Sequence, residues 1–247
     1  MDCCQSARRA GRLTFGVVGL DPAPFRIGGQ VDARNNTGDL TRFVNEFAEY
    51  TGFACPPSSD PALRAACDFV DGIAGRTGVL DTILFQPTGA SQLVVGFAAL
   101  PGALGRAMTD VLGVHSGRAR PRSSVLIAGG GELAACAIAA AVQHGYSHIT
   151  VASDQPGLAM SAAHRMGVDI DVVKLSRLHR PAVDLLINTI EEPIDAEPAA
   201  VCDMTGAWEG CGEPYVCAAD ITAHQRQDQI RVLTGKNPQL EHVRAAI

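Results

Sequence analysis

Ser124-Val125-Leu126-Ile127-Ala128-Gly129-Gly130-Gly131-Glu132-Leu133-Ala134-Ala135 reads as a short apolar strand, a glycine turn and the start of an alanine-rich helix. Its small residues fit G-x-G-x-x-A at Gly129, Gly131 and Ala134. In that pattern the first glycine permits a tight turn. The second lets a pyrophosphate approach the backbone, and the third small residue lets helix and strand pack closely. The anion then rests on the positive N-terminal end of the helix. Leu133, Ala137, Ile138, Ala141 and Val142 recur at helical spacing, and Gly145 stands where a helix stops. The stretch predicts a dinucleotide-binding domain in the second half of the chain, so a different domain precedes it.

Working outward, His148-Ile149-Thr150-Val151-Ala152 is a second strand, ending at Ser153-Asp154. Asp154 lies 23 residues after Gly131, near the distance at which an acidic residue meets the adenosine ribose hydroxyls. The competing interpretation is an α/β turn that binds nothing, with Asp154 a solvated loop residue. Further strands are predicted at Val172 to Lys174, Asp184 to Thr189 and Val201 to Met204. Strands alternating with helices imply a parallel sheet covered on both faces.

In the first half, Thr14 to Gly19 reads as the opening strand, followed by a loop containing Asp21-Pro22-Ala23-Pro24 and Gly28-Gly29. Leu40 to Tyr50 is a predicted helix, and Asp39 can cap its first turn. Thr51 to Cys55 is a short strand closed by Pro56-Pro57, and Pro61 to Ile73 a second helix. Leu80 to Gln86 and Gln92 to Phe97 form a hairpin, and Leu104 to Leu112 is a helix before a linker at Gly113 to Pro121. Ala219 to Ile247 is helical, with breaks at Gly235 and Pro238. The expected domains are 13–112, 123–218 and a C-terminal helical segment 219–247 that packs on the first domain. The fold class is α/β: an N-terminal α/β substrate-type domain plus a Rossmann domain.

The 247 residues are 47% hydrophobic, enough for a sizeable core. The net charge of -6 favours neither nucleic acid nor an anionic membrane. Arg118, Arg120 and Arg122 surround Pro121 and read as a solvated linker rather than a phosphate patch. No apolar stretch reaches membrane-spanning length and the start does not read as a signal peptide, so the expected location is the cytoplasm. The eight cysteines form no C-x-x-C pair and no zinc spacing, so no metal is expected and all are read as reduced. Cys211 and Cys217 are close enough to raise a redox alternative.

The order of parts resembles the shikimate dehydrogenase family, across most of the chain at low density. Val125 to Gly131 is similar to that family's nucleotide turn, and Asp184 to Thr189 to its "D-L-L-I-N-A-T" strand. The tail, His224-Gln225-Arg226-Gln227-Asp228-Gln229-Ile230-Arg231-Val232-Leu233-Thr234-Gly235, is similar to "H-Q-A-x-x-Q-F-x-L-W-T-G". The resemblance implies that Asn188 and Thr189 border the nicotinamide, that the tail helix returns to the first domain, and that Gln225 touches substrate. A glutamine serving an ordinary helix is the alternative.

The first domain keeps the landmarks and loses the chemistry. The family's opening strand is followed by a Ser-x-Ser substrate anchor and a long helix. Leu20 to Gly38 contains no serine and is too short for that helix and the next strand. Gly52 to Asp60 occupies the place of "G-x-N-V-T-x-P-H-K", which puts Asp60 at the catalytic lysine position. Gly78-Val79-Leu80-Asp81-Thr82 is similar to "G-A-V-N-T", with Asp81 in place of the substrate-binding asparagine. Leu100 stands where a catalytic aspartate is expected. Independently of alignment, no lysine occurs between Met1 and Val173, and arginine cannot shuttle the proton that leaves as a hydride is transferred.

The cofactor-binding candidates are Gly129, Gly130, Gly131, Glu132, Leu133, Ser153, Asp154, Asn188 and Thr189. Asp81 and Gln225 are the substrate-binding candidates, and no catalytic residue is assigned. Ser153-Asp154-Gln155 replaces the family's NADP-binding "N-R-T", so NAD is expected over NADP. Two functions remain open: an NAD(P)-dependent oxidoreductase of altered substrate or mechanism, and a non-catalytic metabolite- or nucleotide-binding regulatory protein. The expected partner is a small-molecule ligand, with a homodimer as the candidate assembly.

Overall fold

In the computed structural model the strand at the heart of the sequence, β7 (Ser124–Ala128), lies inside a six-stranded sheet. The structure describes residues 13–89, 91–113, 123–192, 194–208 and 214–247. The basic run at 118–122, His115, Cys3, Cys4 and Cys211 lie outside them. Contacts divide the chain into two units. The first holds residues up to Gly75, Val79–Ala99 and Ala223–Ile247, and the second Arg76–Gly78 and Leu100–Thr222.

The second unit is a parallel sheet. Beside β7 lie β8 (His148–Ala152) and β9 (Asp171–Val173) on one side. On the other are β11 (Leu185–Asn188), β13 (Val201–Asp203) and β14 (Tyr215–Val216). A separate pair, β10 (Ala182–Val183) and β12 (Glu197–Pro198), is also parallel. The run Val125 to Ala128 is buried, as a strand covered on both faces requires. The helix after it, α5 (Glu132–Gln143), buries every residue from Ala134 to Ala141, and its many alanines let it lie close to its neighbours. The helix α6 (Gly157–Met166) follows β8 and ends at Gly167, whose φ of 68° suits a left-handed cap. The helix α4 (Leu100–Leu112), which the sequence assigns to the first domain, sorts with this unit. It starts four residues earlier than the sequence reading, because Pro101 in a first turn needs no N–H partner.

The first unit is a mixed six-stranded sheet in the order β2-β1-β3-β5-β6-β4. Its strands are β1 (Thr14–Val18), β2 (Gln30–Arg34), β3 (Gly52–Ser58), β4 (Phe69–Val70), β5 (Leu80–Thr88) and β6 (Ser91–Phe97). Leu20 to Gly38 is too short for the long helix and a strand together: one 3-10 turn at Pro24–Ile27 stands in the helix's place, and β2 follows it. Two sequence expectations are corrected here. Pro56-Pro57 does not close β3, which runs to Ser58. The register with β5 shifts between Ala54 and Ser58, where prolines cannot donate to the ladder. The two predicted helices shorten to α1 (Arg42–Glu46) and α2 (Pro61–Ala65), while β4 and α3 (Gly72–Thr77) take up the rest of the second. Phe43 stacks on Phe47 at a centroid distance of 5.4 Å and both tilt against Phe53 at 6.2 and 5.9 Å, so aromatic packing replaces helix length as the source of core.

The C-terminal segment forms α7 (Ala218–Thr234) and α8 (Leu240–Arg244). Ile230 and Leu233 of α7 pack with Phe15, Val17, Phe25 and Ala54 of the first unit. Gly28 makes the approach feasible, since a Cβ there would lie 2.7 Å from Ile230 Cγ2. Lys236 Nζ then donates to the Gly28 carbonyl at 2.6 Å. The Gly28-Gly29 pair is thus a contact point for the tail rather than only a turn.

Candidate functional site

The glycine turn has the form that its sequence suggests. Gly129 has φ of 118°, a conformation open to glycine, and a Cβ there would meet Thr189 Oγ1 at 2.1 Å. A Cβ on Gly130 would meet the Gln155 carbonyl at 2.1 Å. Gly131 differs. It is exposed, it caps α5 in an extended conformation, and a Cβ there would meet nothing within 4 Å. Gly131 offers no side-chain cap to the first turn of α5. The space beside it and the helix dipole fit an anion such as a pyrophosphate. Glu132 and Leu133, both half-buried, form that first turn. The Glu132 carboxylate suits the dipole but opposes a phosphate.

Ser153 and Asp154 separate in role. Ser153 is buried, and its Oγ accepts from the Gln155 N–H at 3.0 Å, so it shapes the turn against Gly130. Asp154 is exposed at the C-terminal end of β8, where ligands of open parallel sheets bind.

Asn188 and Thr189 face inward. Asn188 Nδ2 donates to Asp203 Oδ1 at 3.0 Å and to Thr205 Oγ1 at 3.2 Å, and its Oδ1 accepts from the Ile190 N–H. Thr189 Oγ1 donates to the Ala128 carbonyl and packs behind Gly129. Thr189 thus backs the glycine turn, while Asn188 ties β11 to β13. Asp203, fully buried, is the hub: it also accepts from the Trp208 N–H and the Tyr215 hydroxyl. Burial pulls its carboxyl up, but hydrogen bonds from the Trp208 and Thr205 amides, the Thr205 hydroxyl and Asn188 outweigh it and hold the group below the usual range. The same contact, with burial as the larger cause, pushes the Tyr215 hydroxyl up to about 12.

In the first unit Asp81 is fully buried on β5. Its Oδ1 accepts from Thr82 Oγ1 at 2.8 Å and from the Ala99 N–H at 2.9 Å. Its Oδ2 accepts from Gln225 Nε2 at 2.9 Å. The structure therefore brings the two substrate-binding candidates together, with Asp81 orienting Gln225. Asp60 is the N-cap of α2, accepting from the Ala62 N–H at 2.8 Å. It is a structural cap of that helix.

Three participants escape the sequence reading. Gln229 Nε2 donates to the Asp81 carbonyl oxygen at 2.8 Å. Arg226 Nη1 donates to Gln225 Oε1 at 3.1 Å and to Gln229 Oε1 at 2.8 Å. Its guanidinium lies 5.4 Å from the centroid of Phe25. The available signal was the spacing of Gln225 and Gln229, one helical turn apart, with an arginine in place of the motif's alanine. Among the described residues no group of His, Cys, Asp and Glu is arranged to hold a metal ion, and no helix is long and apolar enough to cross a membrane.

The fold is that of the shikimate and quinate dehydrogenases. Quinate dehydrogenase from Corynebacterium glutamicum, solved in complex with NAD, superposes with a TM-score of 0.74 at 19% identity, over 95% of this chain and 98% of that one. Shikimate 5-dehydrogenase from Thermus thermophilus, solved with NADP(H) and shikimate, gives the same values. A 5-ketofructose reductase of Gluconobacter sp. gives 0.73 at 14% identity, over 95% and 97%. No family model and no curated protein matches the sequence.

Proposed function

We propose that this chain is an NAD(H)-binding oxidoreductase of shikimate-dehydrogenase-like fold, with a substrate and a proton-transfer group different from those of its fold relatives. The observation that carries the cofactor half is Gly131: open space beside an uncapped helix N-terminus, with Gly129 and Gly130 fixed by contacts that exclude any side chain. Gly129 to Leu133 would hold the pyrophosphate, and Asp154 the adenosine ribose hydroxyls. A carboxylate at that place accepts from free hydroxyls and repels a 2′-phosphate, which supports NAD over NADP. The bound nicotinamide would supply or take up hydride. The fold relatives include proteins solved with NAD and with NADP(H).

One observation favours the second reading, a non-catalytic binding protein on the same scaffold. Asp60 is engaged as a helix cap and Asp81 in three side-chain hydrogen bonds, so neither is poised as a base. Calorimetric titration with NADH and with NADPH tests the cofactor. Tighter NADH binding is expected, and binding of neither would overturn the reading. Screening alcohols and ketones for absorbance change of the nicotinamide then separates the two functions.

A further inference from the structure

A carboxylate stands inside the cradle proposed for an anion. The first bond of the α5 ladder runs from the Ala135 N–H to the Gly131 carbonyl at 3.0 Å, so the amides of Glu132, Leu133 and Ala134 lie ahead of it. Those amides and the open side of Gly131 form the place assigned above to pyrophosphate. Glu132 is the first residue of α5 and is half-buried. A helical Cα–Cβ bond tilts toward the N-terminus, so this side chain sets off toward the same end as the anion. Residues 129–133 and 153–157 contain Glu132 and Asp154 but no lysine or arginine. The dipole of α5 offers about half an elementary charge, less than a pyrophosphate and a carboxylate bring together.

We infer that the dinucleotide binds at this turn as its Mg2+ complex, with the ion bridging the Glu132 carboxylate and the pyrophosphate oxygens. The inference rests on the cofactor reading of the turn and adds a metal to it. Mg2+ keeps several waters and is held by one or two carboxylates together with a ligand's phosphates, rather than by an all-protein cage. The chain fits that mode. Among the described residues no group of three or more His, Cys, Asp and Glu could hold an ion unaided, so ion and nucleotide bind together. A carboxylate has about four acceptor positions, so the contact Glu132 already makes within the protein leaves room for a metal on the same group. A bound divalent ion reverses the local electrostatics: the group that opposes a bare phosphate becomes a ligand that favours it. The rival role for Glu132 is to complement the dipole of α5, and that role gives nucleotide binding no dependence on metal.

The test titrates NADH into the full chain by calorimetry, in millimolar Mg2+ and again in EDTA, for the parent and for Glu132→Gln. The parent should bind NADH roughly tenfold more tightly with Mg2+, and Glu132→Gln should differ by less than about twofold between the two buffers. In EDTA the variant should bind more tightly than the parent, because a repulsion is removed and no metal is lost. The variant also corrects for Mg2+ carried by free NADH. Mn2+ followed by EPR is the second readout and needs no variant: bound Mn2+ should appear in the parent with NADH and vanish without it. Equal parent affinity in Mg2+ and EDTA overturns the inference. So does a Glu132→Gln protein that keeps the parent's Mg2+ response, or an EPR signal of bound Mn2+ that ignores NADH. NADH binding that is blind to metal removes the ion alone. No NADH binding by either protein in either buffer removes the cofactor reading and the ion with it.

Discussion

Gln225 Nε2 donates to Asp81 Oδ2 at 2.9 Å, joining two residues 144 positions apart. The bond turns a buried carboxylate into the support of a polar cluster. Gln229 reaches the backbone oxygen of the same aspartate, and Arg226 donates to both glutamines. Asp81→Asn should therefore act on the whole cluster. An asparagine that keeps its oxygen toward Thr82 and Ala99 presents N–H to Gln225 Nε2, a donor against a donor. A loss of about 1 to 3 kcal/mol is expected in urea unfolding. A variant as stable as the parent would show that the cluster rearranges without cost.

Gly131→Ala separates folding from nucleotide binding. Its Cβ meets no protein atom within 4 Å, so the melting temperature should stay within a degree or so of the parent. The methyl group fills the space proposed for pyrophosphate, and NADH affinity should drop by about tenfold or more. Gly129→Ala is the contrast: φ of 118° and Thr189 Oγ1 at 2.1 Å predict a destabilised protein whether or not nucleotide is present. Melting curves with and without NADH read both effects.

Asp154→Arg should reverse the dinucleotide preference. Asp154 is exposed, so the substitution leaves packing intact while replacing a hydroxyl acceptor by a 2′-phosphate partner. Paired titrations of parent and variant with NADH and NADPH are the measurement. An unchanged ratio would place the ribose elsewhere.

Asp203 predicts an acid limit to stability. Its folded pKa is depressed, so it releases its proton more readily folded than unfolded. The stabilisation is present in full above the ordinary carboxylate range and fades as pH falls below about 4. The hydrogen bonds from Asn188, Thr205, Trp208 and Tyr215 weaken together as the charge is lost. Asp203→Asn should be less stable than the parent at neutral pH, and the gap should narrow in acid. Urea unfolding across that range reads the difference, and a gap independent of pH would assign the stabilisation to shape rather than charge.

The sequence by itself determined the centre of the second unit and the tail. Strand, turn and helix at 124–143, the strand at 148–152 and the helical C-terminal segment are local patterns, and each agrees with the fold it serves. The glycine cradle was legible because a positive φ and a missing Cβ leave a mark on residue type. The first unit was less so: β2 hides in a polar run, and the short helix α1 packs its Phe43 and Phe47 against Phe53, which in turn meets Phe85 of β5. Side-chain direction was the part that only tertiary structure decided. Asn188 and Thr189, cofactor candidates in the sequence, face inward, toward Asp203 and Ala128. Arg226 was one polar residue in a polar helix until Phe25, Gln225 and Gln229 gave it a fixed position. Periodicity records which residues share a face, whereas the partner of a buried charge comes from elsewhere in the chain, and only the closed fold brings the two together.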